Sequence, residues 1–460
     1  MLIRDAEVQG RRVDVRVREA RISAIASSLR REPDEEVVEG AGGALLPGLH
    51  DHHLHLLAMA AAADSVQLGP PAVRTREAFE QALTKARQSA PPGAQIRGVG
   101  YHDSVAGPLD RDRLDSIVPD RPVRVQHRGG ALWVLNSPAL AAANLDHETN
   151  PDVERDATGR LTGRLWRWDA RLVSPAAPDL RAVGERLARF GITGVTDATP
   201  DLEPPALALL TAAQATGVIP QRMLLLGAPL GGHLPAGLQA GPYKILLRDH
   251  DLPGSDDLTG RIAAAHSSGR AVAVHCVTRE SLLLTLACLT AAGVLPGDRI
   301  EHGAVVPPEL YSLLAVEGLR VVTQPAFILS RGDDYLRDVD PEDQGCLYPY
   351  GSLLAADIKV APSSDAPFGE LDPWRVLATA ADRRTESGRR LGPGESVASA
   401  VSLDGYLSPL MEPGGPPRQL LAGVPADLCL LSVPLAEALR TPDAGFVTLT
   451  MCGGKEFFPL

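Results

Sequence analysis

"AVAVHCVTRESLLLTLACLTAAGVLPGDRIEHG", Ala271–Gly303, decides the fold. Its first six residues are a short apolar run of strand length. "RESLLLTLACLTAAG" has the length of a helix, and "RIEHG" opens a second short run. A strand, a helix and a strand in that order give two parallel strands with the helix across one face. The first run is continuous rather than alternating, as in strands buried on both faces. Each run carries a histidine near its C-terminal end, His275 and His302.

The same texture extends both ways along the chain. "ITGVTDAT" (Ile192–Thr199), "QRMLLLG" (Gln221–Gly227) and "YKILLRD" (Tyr243–Asp249) are strands before it. "VVTQP" (Val321–Pro325) and "KVAPSSD" (Lys359–Asp365) are strands after it, with helices such as "PPELYSLLAVEG" between. Counting "LLPGLHD" from Leu45 as the first strand, there are eight. Eight strand–helix units predict a (β/α)8 TIM-like barrel over residues 49–410. Residues 56–183 are too long for one connection and read as an insertion between the first and second strands. "SRGDDYLRD", after the seventh strand, reads as a polar loop on the active face.

The first forty residues alternate apolar and polar, with a break at "QGRR", which predicts strand, turn, strand. "PADLCLLSV" and "FVTLTMCGGKEFF" are strand-like again near the other end. Residues 1–48 and 411–460 are therefore expected to form one small β-sandwich domain built from both chain ends.

Composition narrows the function classes. The 460 residues are 44% hydrophobic and 22% charged, ordinary for a soluble globular enzyme. A net charge of −12 argues against nucleic acid as a partner. The start has no apolar signal-peptide core, and no uncharged run has the length to span a membrane. Five widely spaced cysteines without C-x-x-C form neither a disulfide framework nor a thiolate zinc site. The expectation is a cytoplasmic protein with a small-molecule substrate. A homodimer is the default assembly for a large soluble enzyme.

Chemistry gathers at the strand ends. In "LLPGLHDHHLHLL" (Leu45–Leu57), residues i and i+2 share a face, so Asp51, His53 and His55 point the same way. His50 and His52 face the helices. In a barrel the C-terminal rim is the active-site face. Lys244, His275, His302 and Asp365 belong to four further strands and would meet His53 and His55 there. Imidazoles plus a carboxylate, with no thiolate, suit Zn2+ or a similar divalent ion, one or two per chain. A buried lysine beside cations is driven neutral, and the amine can then take up CO2 as a bridging carbamate. Arginine stays protonated and could not.

This constellation resembles the amidohydrolase superfamily. "PGLHDHHLH" fits its P-G-x-x-D-x-H-x-H signature, joined by Lys244, His275, "RIEHG" and "SSDAP". "WVLNSPAL", "GITGVTDAT", "VVTQP" and "SDAPFGELDPW" are similar to the amidohydrolase 3 group, the relatives of D-aminoacylase and N-substituted formamide deformylase. The resemblance covers essentially the whole chain. It implies that His53 and His55 hold a first metal with Asp365, that His275 and His302 hold a second, and that carboxylated Lys244 bridges. It implies hydrolysis of an amide or cyclic amide C–N bond by metal-activated water, with Asp365 as general base and acid.

Two alternatives stand beside it. Similar heterocycle deaminases carry a general-acid glutamate three residues after the fifth-strand histidine. Thr278 holds that place here, and Glu280 lies two residues further on. A non-catalytic barrel scaffold would have lost ligands, and here every ligand position is filled. In the insertion, His127, Arg128, Trp133 and Asn136 are candidate substrate contacts, with Arg128 suited to a carboxylate. Arg331 is a further candidate anchor.

Overall fold

The computed structural model describes residues 1–70, 72–168, 171–172, 178–232, 234–235 and 237–458. They divide into two compact units, Met1–Leu56 with Leu180–Leu460, and Leu57–Asp179.

Two parallel sheets carry the first unit. One runs in the order Leu238–Ala240, Arg222–Leu225, Ile192–Asp197, Leu49–Leu54. The other runs Tyr243–Ile245, Val272–Cys276, Arg299–His302, Arg320–Thr323, Lys359–Pro362. Their outer faces are apolar because helices cover them. Val272, Val274, Ile300, Val321 and Val360 pack with Leu258, Leu282, Leu286, Leu314 and Leu353 of the intervening helices.

Gly241 and Pro242 separate the two sheets. Proline has no N–H to give to a ladder, so the strand segment before it pairs with Arg222–Leu225 and the segment after it with Val272–Cys276. The chain stays bonded across the break: Gly241 N–H donates to the Leu225 carbonyl (2.9 Å) and Lys244 N–H to that of Leu226 (3.1 Å). At the opposite margin, Asp365 N–H donates to the His53 carbonyl (2.8 Å) and His55 N–H to that of Ala366 (2.9 Å).

One expectation is corrected. "SRGDDYLRD" is not a loop but most of a helix, Phe327–Asp338. Its polar residues mask a buried side formed by Phe327, Ile328 and Gly332. Gly332 is small because the Thr385 methyl would lie 2.6 Å from an added Cβ.

Both chain ends contribute antiparallel sheets. One is ordered Arg21–Ala26, Arg11–Arg18, Leu2–Val8, with Val37–Glu39 added in parallel. Its first hairpin turns at Gln9 and Gly10 (φ 49° and 76°), both left-handed as a tight two-residue hairpin requires. In the other, Leu45–Pro47 pairs with Leu428–Leu431, followed by Val447–Cys452 and Lys455–Phe458. Ile3, Val15 and Ile22 share a core with Leu45, Leu428, Leu449 and Met451.

The second unit is a six-stranded mixed sheet, Val153–Arg155, Leu161–Trp166, Leu132–Leu135, Val123–His127, Ile96–Tyr101, Val66–Gln67. Its core includes Phe79, Leu83, Leu114, Val125 and Val134. Among the described residues no helix is long and apolar enough to cross a membrane.

Candidate metal centre

The strand Leu49–Leu54 is buried at every position. Gly48 precedes it because Thr193 leaves no room: an added Cβ would lie 2.1 Å from the threonine methyl. Alternate residues then divide between two sides. His50 Nδ1 bonds the Ser408 carbonyl (3.0 Å) and His52 Nε2 that of Gly405 (3.1 Å), against the helix Ser399–Leu407 and its cap. His53 and His55 point the other way.

Their Nε2 atoms converge on Asp365. His55 Nε2 lies 3.2 Å and His53 Nε2 3.6 Å from Asp365 Oδ1. These three ligand atoms lie within 4.8 Å of one another, a group able to hold a metal ion. The other histidines continue the row. Ring centroids are 5.4 Å apart for His55 and His53, 4.9 Å for His53 and His302, and 4.4 Å for His302 and His275. Lys244 is 3% exposed, which rules out a surface-turn lysine paired in water. Burial pulls its ammonium below the ordinary range, while the nearby charges of Glu301 and Asp365 oppose that.

Burial also holds the imidazoles of His53, His275 and His302 neutral. It drives His53 down to about 3, helped by Lys244, and His275 and His302 downward as well. A neutral imidazole keeps the lone pair a metal needs. Burial works against the charge on Asp365, but the hydrogen bond from His55 holds its carboxyl below the usual range. The donor set is thus two imidazole nitrogens and a carboxylate oxygen, which fits a borderline divalent ion.

The partners on the far side of the rings were not expected from sequence. His53 Nδ1 meets the Glu301 carboxylate. Glu301 is wholly buried and accepts from Arg299 Nε at 2.5 Å. His55 Nδ1 pairs with Thr199 Oγ1 (3.1 Å). His302 Nδ1 lies 2.8 Å from Gln324 Oε1, and the Gln324 amide donates to Ser363 Oγ (2.9 Å). Each pairing uses Nδ1 and leaves Nε2 to the centre. Alternation along "RIEHG" would put Glu301 and His302 on opposite faces. His302 has φ +69°, so the chain twists there and both side chains reach inward. Asp365 is left-handed too, at +53°. Non-glycine residues held in this region cost about 1–3 kcal/mol and gather at functional sites.

Asp51 accepts from the backbone N–H of His53 (3.1 Å) and Ser364 (3.2 Å), tying the first strand to the loop before Asp365. Burial pushes its carboxyl up to about 6.

The remaining candidates contribute no atom to this three-ligand group. Arg331 stacks over the Phe327 ring (3.9 Å) and donates to the Phe368 carbonyl (2.8 Å), and Phe368 packs edge-on to His55. His127, Arg128, Trp133 and Asn136 lie in the Leu57–Asp179 unit. His127 Nδ1 accepts from Gly129 N–H (3.1 Å), and Arg128 N–H donates to the Tyr101 carbonyl (2.7 Å). Trp133 is buried, with the guanidiniums of Arg97 and Arg124 over its ring at 5.0 and 5.3 Å. Asn136 is fully buried and commits its amide to four backbone groups.

Comparison with known proteins identifies the family. The profile of the family described as "Amidohydrolase family" matches residues 36–457. The N-substituted formamide deformylase of Arthrobacter pascens is 25% identical over 449 residues, 81% of this chain and 80% of its own. A metal-dependent hydrolase from Pyrococcus horikoshii OT3 superposes with a TM-score of 0.70 at 17% identity, over 99% of each chain. The 5-methylcytosine deaminase of Klebsiella pneumoniae does so at 0.56 and 16%, over 99% of this chain and 97% of its own. The two structural likenesses show a shared fold. The chain belongs to the amidohydrolase family, and so is an enzyme acting on carbon–nitrogen bonds other than peptide bonds.

Proposed function

We propose that this enzyme hydrolyses the amide or cyclic amide bond of a small molecule at a zinc centre. The observation that carries the reading is the meeting of His53 Nε2, His55 Nε2 and Asp365 Oδ1 within 4.8 Å. We further read the two parallel sheets as one closed eight-stranded barrel, in which Leu238–Ala240 and Tyr243–Ile245 are halves of a single strand. The hydrogen bonds across both margins support that closure.

His53, His55 and Asp365 would hold a first zinc ion, and His275 and His302 a second. Lys244 would bridge them after its neutral amine adds to CO2 and gives up a proton. Bound zinc lowers the pKa of a water towards ~7 and polarises a carbonyl. Asp365 takes the proton from the attacking water on its carboxylate and returns it to the departing nitrogen. Arg331, which stacks on Phe327 and donates to the Phe368 carbonyl, would meet a polar group of the substrate. The deaminase reading lacks its acid. Thr278 accepts from Ser281 N–H as a helix cap and donates to Asp249, and Glu280 is exposed.

The test is a panel of N-formyl amines, N-acyl amines and lactams, assayed with the protein as purified, after chelation, and after zinc return. Amide cleavage that vanishes on chelation and comes back with zinc is expected. Turnover unaffected by complete metal removal refutes the reading, and so does a protein that takes up no zinc, as a non-catalytic scaffold would not.

A further inference from the structure

The buried acid behind the centre has a task that the metal-binding set does not include. Glu301 and Arg299 sit on the strand Arg299–His302, and both are 1% exposed or less. That strand and Leu49–Leu54 belong to different sheets, and Glu301 reaches from one to the other. One carboxylate oxygen meets His53 Nδ1, and the other accepts from Arg299 Nε at 2.5 Å. Arg299 also donates to the His52 carbonyl at 3.3 Å, so the guanidinium is anchored to the strand that carries His53.

We propose that Glu301, braced by Arg299, is a positioning residue that fixes the proton of His53 on Nδ1 and so keeps the Nε2 lone pair facing Asp365. This rests on the metal-centre reading for its purpose but not for its geometry. A carboxylate has only acceptors to offer and a guanidinium only donors. With Arg299 on one oxygen, the other can receive a proton from His53 but cannot supply one. A carboxylate behind a ligating imidazole fixes its tautomer and orientation and raises its basicity, and losing such a partner weakens metal binding about 10–100-fold.

Glu301→Gln separates this from a merely structural role. Glutamine keeps the shape but has a single oxygen. Arg299 can only donate, so it claims that oxygen, and the NH2 turns to His53 Nδ1. His53 must then accept at Nδ1 and carry its proton on Nε2. Adding Arg299→Met frees the glutamine oxygen to face His53 again.

The experiment is long-range 1H–15N spectroscopy of histidine-labelled, metal-free full-length protein. His53 is assigned by the signals missing from His53→Asn, and zinc affinity is measured by competition with a chromogenic chelator. The wild type should show the Nδ1–H form at His53. E301Q should show the Nε2–H form and bind zinc about 10–100-fold more weakly. R299M/E301Q should return to Nδ1–H. An Nε2–H form in the wild type overturns the proposal, whether or not any variant folds. So does an E301Q protein that keeps both tautomer and affinity. The metal reading fails separately, if His53→Asn binds zinc as tightly as the wild type.

Discussion

Replacing Asn136 with alanine tests whether this residue holds substrate or holds the chain. The structure commits it to the chain. Its Oδ1 accepts from Val123 N–H (2.9 Å) and Ala139 N–H (3.0 Å), the second of these capping the helix Ser137–Ala143. Its Nδ2 donates to the carbonyls of Val118 (2.8 Å) and Arg121 (2.9 Å). Alanine removes all four bonds at a site with no exposure. Losing the cap costs about 1 kcal/mol. Each of the other three stripped groups costs about 1 kcal/mol at the low end of the range for a buried unsatisfied group. Asn136→Ala should therefore lose about 4 kcal/mol, roughly a thousandfold in the folding equilibrium. Trp133, Trp166 and Trp168 lie in the same unit and Trp374 outside it, so tryptophan fluorescence during urea unfolding reports mainly on the affected part. KM measured without denaturant should be unchanged. An unmoved urea midpoint with a tenfold rise in KM would refute this reasoning and return Asn136 to the substrate contacts.

On the proposed zinc mechanism, Asp365→Asn should keep most of the metal, because His53 and His55 remain, yet lose about 10²–10⁴ in kcat because the proposed proton acceptor is gone; full activity in that variant would remove Asp365 from the proton path. Asp372→Asn should stabilise the protein above pH 6. Burial pushes the Asp372 carboxyl up to about 6, so the charged form is disfavoured in the fold and stability is lost as pH rises from about 4 through 6. Asparagine is an equally good helix cap and can still accept from Trp374 N–H (2.9 Å). A gain of about 3 kcal/mol at pH 7.5 that vanishes at pH 3.5 is expected, and a gain of equal size at both pH values would mean that charge burial is not its cause.

Much of the centre was legible because its signals are local. His53 and His55 stand two apart behind a Pro-Gly, and period two alone sets them on one face. Asp365, His275 and His302 stand at or beyond the C-terminal ends of short apolar runs that form parallel strands. What stayed hidden depends on backbone angles and on pairings distant in sequence. Glu301 was in view in "RIEHG", but strict alternation assigns it away from His302, and only the left-handed turn at His302 brings both inward. Thr199 and Gln324 find their histidines through strand neighbours that no spacing announces. The helix Phe327–Asp338 was concealed by charge, since its buried side rests on Phe327, Ile328 and a glycine. Asn136 did carry a readable sign, because asparagine before Ser-Pro is a helix-start pattern.

The three fixed histidines differ in what fixes them, and the difference follows from topology. Thr199 and Gln324 lie just beyond Ile192–Asp197 and Arg320–Thr323, strands directly beside those that carry His55 and His302. Their bonds depend only on the register of neighbouring strands within one sheet. Glu301 reaches His53 from a strand of the other sheet, so that bond depends on how the two sheets meet. His53 and His55 stand on or just beyond one sheet, while Asp365 follows the last strand of the other. An ion held by all three, as proposed, would therefore tie the sheets together at the margin where only a few backbone bonds cross. Binding that requires the folded arrangement stabilises it by mass action, about 4 kcal/mol at a thousandfold excess over Kd. The Glu301–His53 bond spans the same two sheets without any ion, so the metal-free protein should already hold the ligands near their bound positions.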